Sequence, residues 1–229
     1  MSSSLLLLWD IDGTLLLGAT EAHAAALRRA AGEVHGVDLD GLLVEAAGRT
    51  DAAIARDLLR AAGIQDAAID ARAADVTRAA VAAYEELCPP DLSMFVAPGA
   101  GETLGALAAE PERYRLALVT GNFEPVARRK LGSAGIGHFF APGQGGFGSD
   151  SESRGELPAV ARSRAGDWPR ERTVVIGDTP RDIACARVDG VRVVAVATGP
   201  FSAAALAEAD AVVDDVASAL PVLAGFATG

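Results

Sequence analysis

The chain has 229 residues, of which 50% are hydrophobic and 22% are charged, a balance that indicates a globular protein with a buried core and excludes a disordered one. The formal net charge of −11 argues against broad binding to nucleic acid or to an anionic membrane surface. Cys88 and Cys185 are far apart, which favours a reducing cytoplasm, and no apolar run approaches the roughly 18 residues that span a bilayer.

The first element is an apolar run, Leu5–Trp9, that leads directly into Asp10-Ile11-Asp12-Gly13-Thr14. Two acids at positions i and i+2 of a strand point the same way, so their negative charges repel each other unless something compensates. A bound divalent cation is the simplest compensation. The pattern therefore predicts a buried strand that ends in a metal-assisted site.

Residues 18–89 form an alanine-rich block with apolar residues at helical spacing, ended by Pro89-Pro90. The spacing predicts four helices, over residues 21–34, 39–47, 50–62 and 67–87. A block with Tyr84 as its only aromatic residue is poorly suited to the interior of a sheet. We therefore interpret residues 18–89 as an inserted α-helical cap domain, with residues 1–17 and 90–229 forming one α/β core domain.

The rest of the chain alternates between predicted helices and short β-branched strands. Helices are predicted over 100–109, 124–134 and 202–208, and strands over 114–119, 173–176, 191–197 and 211–213. This alternation predicts a Rossmann-like parallel sheet flanked by helices, in which ligands bind at the carboxyl ends of the strands. Asp10, Thr120 and Asp178 each follow a predicted strand, so we expect their side chains to meet.

Three motifs occur in order at these strand ends: the Asp10–Thr14 segment, Val119-Thr120-Gly121-Asn122, and Gly177-Asp178-Thr179-Pro180-Arg181-Asp182. Together they resemble the signatures of the haloacid dehalogenase superfamily, and in particular the phosphoglycolate phosphatases and their relatives. Members with an α-helical cap carry it between the first two signatures, where this chain has its helical block. The resemblance implies a Mg²⁺-dependent phosphatase that hydrolyses a small-metabolite phosphomonoester through an aspartyl-phosphate.

The resemblance also implies roles for the residues of the first two motifs. Asp10 is expected to be the nucleophile, and Asp12 the general acid and base, with its backbone carbonyl on the metal. Thr120 and Gly121 are expected to hold the phosphate through a hydroxyl and a backbone N–H. Asn122 has two open interpretations: it orients Asp10 or touches the substrate, or it caps the following helix.

For the metal, the resemblance implies that Asp178 completes the site with Asp10, because Mg²⁺ prefers carboxylate and carbonyl oxygens. Asp182 lies one helical turn after Asp178 and is expected in the outer shell of the metal. The alternative for Asp182 is a first-turn acid that stabilises the helix dipole.

The third family signature, a lysine closely followed by proline, is missing. The only lysine in the chain, Lys130, follows two arginines, and we place it on a solvated helix face. Arg154 is the only cation in the corresponding segment, residues 147–158, so we predict that it replaces the lysine as the counter-charge of Asp10 and the phosphate. This requires Asp150 and Glu152 to turn away or to pair with Arg154.

Two further segments bear on ligand binding. Residues 143–148 match a dinucleotide-binding glycine pattern, but the acidic, turn-like sequence that follows favours ordinary loop glycines. In the cap, Arg49 joins two predicted helices and is a candidate for binding a carboxylate or second phosphate of the substrate, with an ordinary exposed arginine as the alternative. The histidines at 23, 35 and 138 show no ligand-like pairing and are expected to be structural or exposed.

Alternatives to the phosphatase are a sugar-phosphate mutase of the β-phosphoglucomutase type and a non-catalytic phosphate-binding module. A dehalogenase would not need Asp12, and a phosphonate-cleaving relative would need a cap lysine, which this chain lacks. The expected partner is a small phosphorylated metabolite, not nucleic acid or a membrane, for a cytoplasmic monomer or homodimer.

Overall fold

The computed structural model describes residues 4–228. Its sheet has six strands, all paired in parallel in the order β3-β2-β1-β4-β5-β6. The strands are β1 (Leu5–Trp9), β2 (Tyr114–Thr120), β3 (Gly146–Phe147), β4 (Thr173–Gly177), β5 (Arg192–Val196) and β6 (Ala211–Val213). The predicted α/β class, a Rossmann-like parallel sheet with an inserted helical cap, is confirmed.

Strand β1 lies in the middle of the sheet and is buried along its whole length. Leu5, Leu7 and Trp9 belong to one core cluster, and Leu6 and Leu8 belong to a second cluster. Both faces of the strand are therefore covered by apolar side chains. This explains why the sequence of β1 is continuously apolar and does not alternate.

The described residues contain eight α-helices: α1 (Glu21–His35), α2 (Asp51–Ala61), α3 (Asp66–Leu87), α4 (Ala100–Ala108), α5 (Glu124–Ser133), α6 (Leu157–Arg164), α7 (Pro180–Asp189) and α8 (Ala219–Thr228). Apolar residues of α6 and α7 join the second core cluster, whereas those of α4, α5 and α8 join the first. The sheet thus has helices on both faces. No helix within residues 4–228 has both the length and the apolar character needed to cross a bilayer.

One predicted cap helix is wrong: residues 39–47 are irregular. Gly41 and Gly48 adopt positive φ angles of 74° and 68°, which a helix does not accommodate. The carbonyls of Leu39 and Leu42 accept hydrogen bonds from the Arg28 guanidinium. The alanine and leucine residues of this stretch favour a helix. The glycine conformations and the hydrogen bonds from Arg28 stabilise an irregular segment instead.

Two other predictions also need correction. The helix predicted over 202–208 is a single 3₁₀ turn, Ala203–Leu206. The glycines at 143–148, predicted as a loop, include strand β3, which pairs with β2 through Val119 and Thr120. A Cβ on Gly146 would lie 2.1 Å from the backbone oxygen of Leu157. Glycine is needed here because β3 packs tightly against the start of α6.

Helices α1, α2 and α3 fall within residues 18–89, which we call the cap, and α1 packs mainly on α3. The cap contacts the core through both main-chain and side-chain atoms. The Asp51 N–H donates to the Gly121 carbonyl at 2.8 Å, and the Thr50 hydroxyl donates to the Glu152 carbonyl at 2.8 Å. The cap therefore lies over the end of β2. The boundaries of the two domains stay a prediction.

Candidate active site

Three strand ends converge at one edge of the sheet, as predicted. Asp10 follows β1, Thr120 ends β2 and Asp178 follows β4, and all three are buried. The Thr14 hydroxyl donates to Asp178 at 2.9 Å, which joins the turn after β1 to the end of β4. The floor of a cavity of about 550 Å³ between the core and the cap is formed by Asp10, Thr120 and Asp178.

The carboxylates of Asp10, Asp178 and Asp182 form a buried cluster in which one oxygen atom of each lies within 4.8 Å of the other two. Burial raises the pKa of Asp10 to about 7, with Arg154 opposing the shift and Asp182 adding to it. Burial raises the pKa of Asp178 to about 8, with repulsion from Asp10 and Asp182 adding to the shift. The cluster therefore holds more acidic groups than its single guanidinium can neutralise.

The surroundings of Asp178 fit a small hard cation. A Cβ on Gly13 would lie 2.2 Å from Asp178 Oδ2, and a Cβ on Gly199 would lie 1.7 Å from the same atom. The two glycines thus let the chain approach this carboxylate closely. Carboxylate and carbonyl oxygens in a tight cradle are the donor set that Mg²⁺ prefers.

Asp182 contributes to the cluster in a different way. Its Oδ2 accepts hydrogen bonds from the N–H and hydroxyl of Thr179, which form a capping box at the start of α7, and its Oδ1 accepts from Arg154. Both oxygens are therefore engaged by the protein. The position is consistent with the expected outer shell, and the alternative of a first-turn helix acid is also realised.

The cluster makes stability depend on pH in a defined direction. Because the pKa values of Asp10 and Asp178 are raised in the folded protein, their protonated forms add to the free energy of unfolding. This contribution is fully present below the ordinary pKa of 3.8 and is lost as pH rises through about 7 for Asp10 and about 8 for Asp178. We expect the metal-free protein to show a falling Tm between pH 5 and about pH 8.5 in thermal unfolding, and millimolar Mg²⁺ to reduce the fall. In Asp178→Asn the fall should be smaller without Mg²⁺. A Tm that rises over this range, or that ignores Mg²⁺ at about pH 8.5, would contradict a cation site here.

Arg154 occupies the predicted position. It is buried on a single 3₁₀ turn, Arg154–Glu156, and its Nη2 lies 3.1 Å from Asp10 Oδ1. Asp150 pairs with Arg164 at 2.6 Å, and Glu152 pairs with Arg56 of the cap at 2.7 Å. The two neighbouring acids therefore turn away from the cluster, which leaves the Arg154 charge to Asp10 and Asp182.

The placement of Lys130 on a solvated face is wrong. Its side chain is completely buried, and Nζ lies 2.8 and 2.9 Å from the two carboxylate oxygens of Asp12. On α5 and its preceding turn, Phe123, Val126 and Ala127 share the same buried face. The helical spacing therefore placed this lysine on the apolar stripe, a signal that was available in the sequence.

His23 is buried and hydrogen-bonded to two protein groups, which is the structural role that the sequence left open for it. Its Nδ1 lies 3.2 Å from Lys130 Nζ, and its Nε2 lies 3.0 Å from Asp51 Oδ2. An ammonium group only donates, so Nδ1 accepts and the ring proton sits on Nε2, where it donates to Asp51. The Asp51 carboxylate also accepts from the Phe123 N–H at 2.8 Å. A hydrogen-bonded chain thus runs from the cap to Asp12 in the core.

Asp12 lies at the core end of this series of hydrogen bonds. Although burial favours its neutral form, the charge of Lys130 and the hydrogen bonds from Lys130 and Asn122 hold the pKa of Asp12 below its usual value. The Asn122 amide donates to Asp12 Oδ2 at 3.0 Å, and its oxygen accepts from Lys130 at 3.3 Å. Asn122 therefore orients the second acid, Asp12, and the N-cap position of α5 belongs to Phe123.

The remaining candidates line the same cavity. The Thr120 hydroxyl accepts the Asn122 N–H at 3.3 Å and so shapes the turn after β2. A Cβ on Gly121 would lie 2.0 Å from the Arg49 backbone oxygen, so only glycine fits below the cap here. The Arg49 guanidinium is directed to Asp57, with a 2.5 Å ion pair.

Comparison with known proteins agrees with this geometry. The family model described as haloacid dehalogenase-like hydrolase matches residues 7–187, and a second HAD-hydrolase-like model matches residues 156–219. A β-phosphoglucomutase from Clostridium difficile superposes with a TM-score of 0.69 at 15% identity, covering 98% of this chain and 97% of its own. A predicted phosphoglycolate phosphatase from Haemophilus somnus 129PT gives 0.63 at 22% identity, covering 97% and 99%.

A hydrolase from Pseudomonas syringae superposes with a TM-score of 0.66 at 20% identity, covering 97% of this chain and 98% of its own. No curated protein sequence matches the chain. At these identities the structural similarity shows a shared fold.

Proposed function

The chain belongs to the haloacid dehalogenase-like hydrolase family, and from that membership we propose that it is a Mg²⁺-dependent phosphomonoester hydrolase with Asp10 as its nucleophile. One observation carries the proposal: Asp10 lies at the end of β1 on the floor of the cavity, paired with Arg154 at 3.1 Å and clustered with Asp178. A carboxylate in this position can reach a phosphorus atom bound in the cavity.

The reaction proceeds in two displacements. Asp10 attacks phosphorus and the ester P–O bond breaks, while Asp12 gives a proton to the leaving alcohol oxygen from its minor protonated form, because its pKa is lowered. Asp12 then removes a proton from the water that attacks the aspartyl-phosphate, which regenerates Asp10 and releases phosphate. Both acids line the cavity, and Asn122 and Lys130 hold the Asp12 carboxylate.

Binding of the phosphate rests on three groups of the chain. Arg154 supplies positive charge beside Asp10, and its buried Nε has no acceptor among the described residues, so the guanidinium keeps donor capacity. Thr120 and Gly121 supply the hydroxyl and backbone N–H of the cradle. Asp10, Asp178 and the Asp12 carbonyl would hold Mg²⁺, with Asp182 behind them; bound Mg²⁺ supplies charge that favours ionised Asp10 and offsets the phosphate charge.

Lys130 positions the acid–base residue in this scheme. In Lys130→Met the Asp12 carboxylate loses its counter-charge, so we expect kcat to fall about 100-fold and the limb of the pH–kcat profile set by Asp12 to move to higher pH. Steady-state kinetics over pH measures both effects. The matched control is Arg129→Met, whose guanidinium forms an exposed pair with Glu85 at 3.0 Å and should leave kcat unchanged. A Lys130→Met enzyme with wild-type kcat and an unmoved profile would remove Lys130 from the mechanism.

The test of the function is phosphate release from p-nitrophenyl phosphate. We expect release with Mg²⁺, loss of release with a chelator, and recovery when Mg²⁺ is restored. The β-phosphoglucomutase among the structural neighbours makes a sugar-phosphate mutase the second candidate. Incubation with hexose 1-phosphates separates the two, because a mutase yields an isomerised sugar phosphate without free phosphate. A cytoplasmic location, a small phosphorylated metabolite as substrate, and a monomeric or homodimeric state remain part of the proposal.

A further inference from the structure

Above Asp10, the cavity extends into the cap, where aliphatic side chains line one wall beside the polar residues Thr20, His23 and Asp51. The side chains of this wall come from the turn after β1, from α1, from the irregular segment 39–47 and from α2. They are Leu17, Leu27, Val44, Ile54 and Leu58. The total volume of about 550 Å³ lies within the range of small-molecule sites, so the space beyond the phosphate accommodates an organic group.

The two arginines of the cap wall are engaged by protein acceptors. The Arg28 guanidinium donates to the carbonyls of Leu39 and Leu42, the second at 2.9 Å, and thereby holds the irregular segment in place. The Arg49 guanidinium pairs with Asp57 at 2.5 Å. Recruiting either arginine to a substrate anion would leave these acceptors without their donors, which opposes binding.

The charge around the cavity also disfavours an anionic leaving group. Four carboxylates border the cavity, from Asp10, Asp12, Asp51 and Asp178, and Arg154 lies at the phosphate end. Asp51 is on the cap side, where its Oδ2 is already engaged by His23 and the Phe123 N–H. A carboxylate or second phosphate placed against the aliphatic wall would lose its water without gaining a cation.

Building on the proposed hydrolase function, we propose that the substrate is a phosphate monoester whose alcohol part is apolar and uncharged. The phosphate binds on the floor at Asp10, and the alkyl or aryl group packs against the aliphatic wall of the cap. Esters that carry a carboxylate, a second phosphate or a sugar ring on the alcohol side are disfavoured, because the five aliphatic side chains of the wall offer these groups no polar partner.

A chain-length series tests this preference. With ethyl, butyl and hexyl phosphate, kcat/KM should rise roughly fourfold per added methylene until the wall is filled, as expected for burial of a methylene group. Phosphoglycolate and glucose 6-phosphate should be poorer substrates than butyl phosphate by at least about tenfold. Equal or better turnover of phosphoglycolate than of butyl phosphate would overturn the proposal, as would a flat chain-length series.

A pair of adjacent variants locates the preference on the wall. Val44→Arg introduces a cation into the cavity, so turnover of hexyl phosphate should fall about tenfold and the ratio of phosphoglycolate to hexyl phosphate should rise. The matched control is Leu43→Arg, because Leu43 is 93% exposed and does not line the cavity. Identical selectivity in the two variants would contradict the assignment of the wall.

Binding separates this proposal from the hydrolase proposal. Alkylphosphonates cannot be hydrolysed. Calorimetric titration with alkylphosphonates of increasing chain length in Mg²⁺ therefore measures how much the aliphatic wall contributes to binding affinity. If no ester is hydrolysed but phosphonate affinity rises with chain length, the hydrolase function fails and the apolar selectivity stands. If esters are hydrolysed while phosphonate affinity is independent of chain length, the hydrolase function stands and the apolar selectivity fails.

Discussion

Replacing Asp10 with asparagine should lower kcat for p-nitrophenyl phosphate by about 10⁴-fold or more, because the amide cannot form the acyl phosphate on which turnover depends. The variant should remain folded. Asp10 is buried beside two further acids, and burial and repulsion raise its pKa, so a neutral side chain of the same shape relieves unfavourable charge in the metal-free protein. Steady-state release of p-nitrophenolate measures the loss, and thermal unfolding verifies the fold.

A matched control for Asp10→Asn is Asp38→Asn. Asp38 lies exposed in the cap, and within the described part of the chain its side chain accepts only the local N–H of Asp40, so kcat should be unchanged. Turnover by Asp10→Asn above about one hundredth of the wild-type rate would contradict the assignment of Asp10 as the nucleophile. The buried carboxylate of Asp178 would then be the next candidate to replace.

Replacing Arg154 with alanine should lower kcat/KM about 10³-fold, equivalent to about 4 kcal/mol of transition-state stabilisation. Within residues 4–228, Arg154 is the only guanidinium that contacts both Asp10 and Asp182, so its removal leaves the phosphate and two buried acids without a counter-charge. Breaking such a buried pair typically costs about 3–5 kcal/mol of folding stability. Kinetics should therefore be measured at saturating Mg²⁺, together with thermal unfolding.

Two variants keep the Arg154 result interpretable. Arg154→Lys retains the charge, so it should fold and recover part of the lost kcat/KM, but the ammonium is a point charge and cannot span Asp10 and Asp182 as the planar guanidinium does. Arg164→Ala removes an arginine of the following helix that pairs with Asp150 and should leave kcat/KM within about twofold. If Arg154→Ala folds and retains wild-type kcat/KM, another cation must serve the phosphate.

The fold and the acid cluster could be predicted because local sequence and tertiary position agree. Strand β1 is apolar throughout because it is central in the sheet, and the acids that follow it fall at the carboxyl edge by the geometry of parallel strands. Arg154 could be predicted as the counter-charge because it is the only cation in residues 147–158. A short list of candidate residues then sufficed to assemble the cluster.

Other features depend on long-range contacts that local patterns do not contain. Residues 39–47 have a helical composition, yet Arg28 of α1 supplies the partners for their carbonyls. Strand β3 has only two residues and exists because glycine permits close packing against Leu157. Its sequence resembles a loop in isolation.

Lys130 shows a different kind of error. Helical spacing places it on the buried face of α5, whereas its charge and its two neighbouring arginines favour a solvated face. Its partners, Asp12 and His23, lie more than 100 residues away in sequence, so nothing local indicated an ion pair. A lone lysine on an apolar stripe is a signal of a buried acid partner.

The most direct test of the account is to locate the covalent phosphate. Asp12→Asn should accumulate the phosphorylated enzyme with p-nitrophenyl phosphate, because p-nitrophenolate leaves without needing a proton whereas attack by water lacks its base. After acid quench and proteolysis, mass spectrometry should find the phosphoryl group on Asp10 in this variant and in rapidly quenched wild-type enzyme, and none in Asp10→Asn. A phosphoryl group on any other residue, or turnover with no covalent phosphate in either enzyme, would contradict Asp10 as the nucleophile.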